Sequence, residues 1–150
     1  SFWGVNNRIQ PLQAVVALEG LKKLDYNLKK RKLNADYLDK NLREISEFVK
    51  IPKRLKHHKE TYALYMILCK NRNKLKKYLE KNNIETKIHY PVPLHKQKPY
   101  RNNSKKIFNL KNSENQAKHL LTLPVHQFLS KAQLDYMVKK IKYFYLKNDS

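Results

Sequence analysis

The hydrophobic period changes twice along this chain, and that change limits its fold more than any single motif. From Leu12 to Ile45 the apolar residues recur at helical spacing, first as Leu12, Val15, Val16, Leu18 and Leu21, then as Leu24, Leu28, Leu33, Tyr37, Leu38, Leu42 and Ile45. Pro11 opens the first segment, where its missing N–H costs nothing. Gly20 is expected to loosen or kink the join, and the second segment should stop before Val49-Lys50-Ile51-Pro52. Its Lys-, Arg-, Asp- and Glu-rich side reads as a solvated helix face. Next, Thr61 to Leu68 is a β-rich run of strand length, Asn71 can cap a helix striped by Leu75, Tyr78 and Leu79, and Asn82-Asn83 should end it. Ile84 to Ile88 alternates like a strand with one buried face. Pro91, Pro93 and Pro99 make His89 to Tyr100 a stiff loop, and Asn102 to Lys111 is a polar linker. A short helix from Ser113 or Glu114 to His119 and an apolar run from Leu120 to Val125 come next. The helical period then returns: Ser130 with Gln133 forms a capping box, Leu129 with Leu134 a staple, and Leu134, Met137, Val138, Ile141 and Tyr145 a stripe. The fold class is α/β of an α+β-like kind, with long N-terminal helices and a small sheet packed by helices.

With 150 residues and 41% hydrophobic content, the chain supports one core. Its 33 Lys+Arg against 12 Asp+Glu give +21, which raises the alternative of a basic module binding nucleic acid or another anion. Against it, only Arg8, Arg31, Arg43, Arg54, Arg72 and Arg101 are arginine, and they are not clustered for bidentate phosphate or base contacts. The tyrosines among the lysines fall on apolar stripes, as Tyr37, Tyr78 and Tyr145 do. The lone Cys69 excludes an internal disulfide and fits a reducing, cytoplasmic setting. Adjacent His57 and His58 cannot both face one metal from a regular element, so no metal site is expected. No apolar run reaches the roughly 20 residues that span a bilayer. The chain starts at Ser1 rather than methionine, which suggests a piece of something longer.

Two polar clusters carry the functional signal. Gly4-Val5-Asn6-Asn7-Arg8-Ile9 runs straight into the apolar Pro11 helix, setting amides and a guanidinium against a rigid base, as anion binding requires. His89-Tyr90-Pro91-Val92-Pro93-Leu94-His95 is the second. Taken alone, the first is as well explained by a polar turn before a core helix. Read in order, Gly4-x-Asn6-x-Arg8-Ile9-x-x-Leu12-Gln13-Ala14, Leu21-x-x-Leu24-Asp25, the strand–helix–strand, Ile88-His89-Tyr90-Pro91-x-Pro93-Leu94-His95, Glu114, Leu121-Thr122-Leu123-Pro124-Val125 and the Leu129-Ser130 helix start resemble the C-terminal part of the DegT/DnrJ/EryC1/StrS family. Those proteins are aminotransferases that use pyridoxal 5'-phosphate and act on nucleotide-linked keto-sugars.

The resemblance implies the C-terminal small domain of a fold-type I PLP-dependent aminotransferase, with residues 1–45 as junction and long helices and 46–150 as a small α/β domain. The large cofactor-binding domain, with the Schiff-base lysine, would lie upstream, so no catalytic residue is assigned here and the fragment alone should be inactive. Asn6 matches an asparagine that reaches the cofactor phosphate of the neighbouring subunit in a homodimer. Arg8 matches a substrate-facing arginine suited to a glutamate carboxylate or a sugar-nucleotide phosphate. His89, Tyr90 and His95 match residues lining the sugar pocket, where they can donate to sugar hydroxyls or phosphate. Gln10-Pro11 and Gln127 depart from the family pattern, which casts doubt on any transfer of sugar specificity. The implied activity moves an amino group, from glutamate, to the 3- or 4-keto position of a nucleotide-linked deoxysugar for polysaccharide or amino-sugar synthesis. A dehydratase relative with that lysine replaced, and a truncated inactive remnant, are the other readings within the resemblance.

Overall fold

The computed structural model describes residues 9–103 and 108–147. Helix α1 (Pro11–Lys22) begins at the proline, and α2 (Leu24–Leu42) follows, running into a 3-10 turn over Arg43–Ile45. The join lies at Lys23, with φ −103° and ψ 2°, so Gly20 stays inside the helix and the break comes three residues later than its glycine suggested. Strand β1 (Val49–Lys50) was not evident in the sequence. Strand β2 (Tyr65–Cys69) starts later than the β-rich run, because Tyr62 takes a φ of 49° that breaks extension. Helix α3 (Arg72–Lys81) ends as the asparagine pair predicts. Asn83 turns left-handed at φ 58°, its N–H bonds to Glu80 O, and Ile84 N–H returns to Leu79 O, a Schellman ending.

Residues 84–88 keep the expected alternation, Ile84 and Thr86 buried and Glu85 and Lys87 exposed. Their pairing is confined to Lys87 with Thr122, through two backbone hydrogen bonds of 3.2 and 2.8 Å. After a 3-10 turn at Leu94–Lys96 come α4 (Lys98–Asn103), α5 (Lys111–His119), β3 (Leu120–Leu123) and α6 (Lys131–Leu146). The sheet order is β1-β2-β3, antiparallel throughout, with Val49 opposite Cys69 and Tyr65 opposite Leu123. The capping box at Ser130 forms as read: Gln133 N–H donates to Ser130 Oγ at 3.2 Å and Ser130 N–H to Gln133 Oε1 at 2.9 Å.

One core joins the last two turns of α2 (Ala35, Leu38, Leu42), the inner face of β2 (Tyr65, Ile67, Cys69), Leu75 and Leu79 of α3, and the α6 stripe from Leu134 to Tyr145. Burial drives this assembly, at about 25 cal/mol per Å² of apolar surface. Helix α1 stands apart. It has no buried residue, and Leu12, Val15, Val16, Leu18 and Leu21 are all well exposed. Its apolar residues are spread around the helix instead of forming a stripe, so α2 cannot cover them.

Polar groups fasten the core in two places. Asp39, buried on α2, accepts from Arg54 Nε at 3.0 Å, Arg54 NH2 at 3.2 Å and Tyr65 Oη at 2.6 Å. The guanidinium also donates to Glu60 at 3.0 Å and lies over the rings of Tyr62 and Tyr65, 5.3 and 5.4 Å from their centroids. This pins the basic loop of residues 53–59 to the core. At the other end Tyr145 Oη donates to Lys70 O at 2.7 Å, and the Cys69 thiol reaches His119 O at 3.5 Å. Burial pushes the Cys69 thiol up to about 11. Cys69 should therefore resist thiol reagents at neutral pH, reacting only as fast as the chain opens. Rapid labelling without unfolding would contradict this. Burial raises Tyr65 and Tyr145 as well, so all three groups favour their protonated forms when folded. Their contribution is complete below the ordinary thiol and phenol range and is lost as pH rises through and beyond it.

Candidate functional site

The 84–88 leg delivers His89 to the end of its pairing with β3. There His89 Nδ1 meets Thr122 Oγ1 at 3.0 Å. Thr122 is buried on β3 and cannot swing away, so the imidazole is held by one nitrogen and Nε2 is left without a protein partner among the described residues. Tyr90 stands edge-on to that ring, centroids 5.6 Å apart, and the residue is 73% exposed.

The prolines then shape the loop. Lys96 N–H bonds to Pro93 O at 2.9 Å and Gln97 N–H to Leu94 O at 3.1 Å, closing the 3-10 turn. His95 points inward from this turn, its side chain 6% exposed, and Nε2 lies 3.1 Å from Glu114 Oε1 on α5. Lys96 Nζ binds the other oxygen of Glu114 at 2.5 Å. Lys96, and then His95, hold the Glu114 carboxyl below its ordinary range.

Two cavities meet at His89. One, of about 730 Å³, runs under the loop and is lined by Tyr90, His95, Gln97, Tyr100 and Phe108. The other, of about 560 Å³, lies between residues 83–89, β3 and the start of α6, with Lys87, His126, Gln133 and Tyr136 in its wall. Both are within the range of small-molecule sites. The segment beyond β3 is fixed from α2, since Asn34 Nδ2 donates to His126 O at 2.9 Å and Arg31 Nε to Gln127 Oε1 at 3.0 Å. Gln127, a departure from the family pattern, thus has a structural role as an acceptor for Arg31.

The structure therefore gathers His89, Tyr90 and His95 around one cavity, while Asn6 and Arg8 lie outside the described residues. Sequence reasoning gave no role to Thr122 or Lys96, and it used Glu114 only as a family marker. The signal for Thr122 was available, as a polar residue alone in the run Leu120 to Val125. Among the described residues no group of His, Cys, Asp and Glu is placed to hold a metal. No described helix is long and apolar enough to cross a membrane.

A small antiparallel sheet backed by helices, with two imidazoles each tied back at one ring nitrogen, defines a lobe that presents polar groups to a cavity. The comparisons give that lobe its family. The model of the DegT/DnrJ/EryC1/StrS aminotransferase family matches residues 1–142, and the chain belongs to it. It is 29% identical over 140 residues to the dTDP-3-amino-3,6-dideoxy-alpha-D-galactopyranose transaminase of Aneurinibacillus thermoaerophilus, covering 93% of this chain and 38% of that protein. A DegT/DnrJ/EryC1/StrS aminotransferase from Brucella abortus superposes with a TM-score of 0.87 at 32% identity, over 95% of this chain and 38% of that one. The S. venezuelae DesV structure, in complex with a ketimine intermediate, has the same fold with a TM-score of 0.87 at 24% identity, over 94% and 38% of the two chains. The chain thus spans 38% of the length of these relatives.

Proposed function

We propose that this chain is the substrate-facing lobe of a pyridoxal-phosphate-dependent enzyme that transfers an amino group, from glutamate, to a nucleotide-linked keto-deoxysugar. The observation that carries the reading is His89, fixed on Thr122 and lining two ligand-sized cavities, in a chain of the aminotransferase family. A transaminase acting on a dTDP-linked amino sugar among the relatives supports the substrate class. The cofactor would supply the means of carrying the amino group and would be held chiefly by the rest of the protein. This lobe's task is to bind and orient the sugar.

Helix α1 supports a larger assembly. A helix that is apolar on all sides is stable in water only when covered, and α2 leaves α1 largely bare. The rest of a longer chain and a second subunit would supply that cover, with Asn6 reaching the neighbour's cofactor phosphate and Arg8 the substrate. A cytoplasmic homodimer is the corresponding assignment.

The test is amino transfer by the full-length protein, supplied with pyridoxal phosphate and glutamate, to dTDP- and UDP-linked 3- and 4-keto-deoxysugars. An amino-sugar product is expected. Its absence with every such acceptor would overturn the reading. The 150-residue chain by itself should retain no cofactor on dialysis and give no bound-cofactor absorbance near 400–430 nm (an approximate window for the protein-bound form). Stoichiometric retention would show that the cofactor site lies within this chain after all.

A further inference from the structure

The loop cavity has a second imidazole whose protonation pattern is set by the protein. A carboxylate only accepts hydrogen bonds, so the His95 nitrogen 3.1 Å from Glu114 Oε1 must carry a proton. In the neutral ring the other nitrogen, Nδ1, is then an acceptor, and it has no protein partner among the described residues. Glu114 itself cannot easily turn, because Lys96 occupies its second oxygen. His95 and Lys96 belong to one 3-10 turn while Glu114 belongs to α5, so the carboxylate ties the loop to a regular element and sets the ring at the same time. Outer groups that fix an imidazole in this way are the usual means of choosing which nitrogen faces a ligand.

We propose that Glu114 is a positioning residue that holds His95 as the Nε2–H tautomer, so that Nδ1 accepts from a hydroxyl of the sugar in the loop cavity. In that tautomer Nδ1 has no proton to offer a phosphate oxygen, which is itself an acceptor. This selects hydroxyl over phosphate as its partner, where a histidine read from sequence alone could serve either. The assignment of the ligand rests on the sugar-transfer reading above. The tautomer does not.

The first measurement is nitrogen-15 NMR of the His95 ring in the full-length protein without substrate. It should show the Nε2–H form in wild type and a mixed population in Glu114→Ala. An Nδ1–H ring in wild type overturns the proposal whatever the enzyme does. The second is kinetic. Glu114→Ala should raise KM for the keto-sugar about tenfold and leave the half-reaction with the amino donor unchanged. Hydrogen exchange should rise at the Lys96 and Gln97 amides and stay constant in α6. His95→Asn, whose amide oxygen sits near Nδ1, should keep more sugar affinity than His95→Gln, whose amide sits near Nε2. Adding Glu114→Ala to His95→Gln should raise KM no further. Equal losses in both half-reactions, together with a fall in thermal midpoint, would reduce Glu114 to a structural tie. An unchanged sugar KM in Glu114→Ala would also sink the idea. If wild type transfers to no nucleotide sugar, the functional reading fails, while the ring NMR still decides the tautomer.

Discussion

Replacing Asp39 by alanine is expected to cost about 3 kcal/mol of stability, near the lower end of the range for breaking a buried ion pair. The value follows from what the carboxylate holds. It is the hydrogen-bond acceptor of Tyr65 Oη, whose side chain is completely buried and cannot find water once the partner is gone. An orphaned buried hydroxyl alone costs roughly 1–3 kcal/mol. Arg54 adds less, because its side chain keeps 23% of its surface exposed and part of the guanidinium can rehydrate beside Glu60. The thermal midpoint should fall by roughly 6–12 °C for a chain of this size. Arg54→Met should cost at least as much, since the Asp39 carboxylate, 8% exposed, would be left with only a phenol. Denaturant titration of both variants checks this order, and a loss below about 1 kcal/mol in Asp39→Ala would refute the account. A triple variant, Asp39→Leu with Arg54→Met and Tyr65→Phe, should recover most of the loss, because removing every member leaves no buried polar group unpaired. If it does, the cluster serves to fix where the 53–59 loop sits more than to hold the chain together.

That cluster also shows where sequence reasoning stops. Asp39 stands in a helix whose charges all look like a solvated face, and nothing local distinguishes it from Asp36, which pairs with Lys32 at the surface. The distinction is tertiary: Asp39 lies on the buried side with Leu38 and Leu42, under an arginine 15 residues on. Features with local causes were readable. The capping box at Ser130, the start at Pro11 and the turn at Asn82-Asn83 all depend on residues within five positions of one another. Strand β1 is two residues long and exists only because β2 pairs with it, so no periodicity could announce it. Helix α1 has the apolar content of a core helix, but even distribution of that content leaves it without a face to bury here. At the site, the proline-rich segment marked a stiff loop and the resemblance singled out its histidines. What ties each ring back, Thr122 at 33 residues from His89 and Glu114 at 19 from His95, is a matter of long-range packing.

The largest functional effect is expected at His89. In the full-length protein His89→Ala should lower kcat/KM for the nucleotide sugar by roughly 5- to 150-fold, the consequence of losing one polar contact worth about 1–3 kcal/mol. The loss should appear in the sugar half-reaction alone, since His89 lines both cavities assigned to the sugar. Thr122→Val separates orientation from contact. Valine matches threonine closely in volume and the Lys87–Thr122 pairing is made by backbone atoms, so the sheet edge should survive. Only the 3.0 Å link to Nδ1 disappears. If Thr122 acts by steering the ring, its variant should lose several-fold in the same parameter, and the double variant should be no worse than His89→Ala by itself. Independent, additive losses would mean that Thr122 contributes in some other way, to packing or directly to substrate. No change at His89 would remove it from the site, and the case for a sugar-facing loop would then rest on Tyr90 and His95.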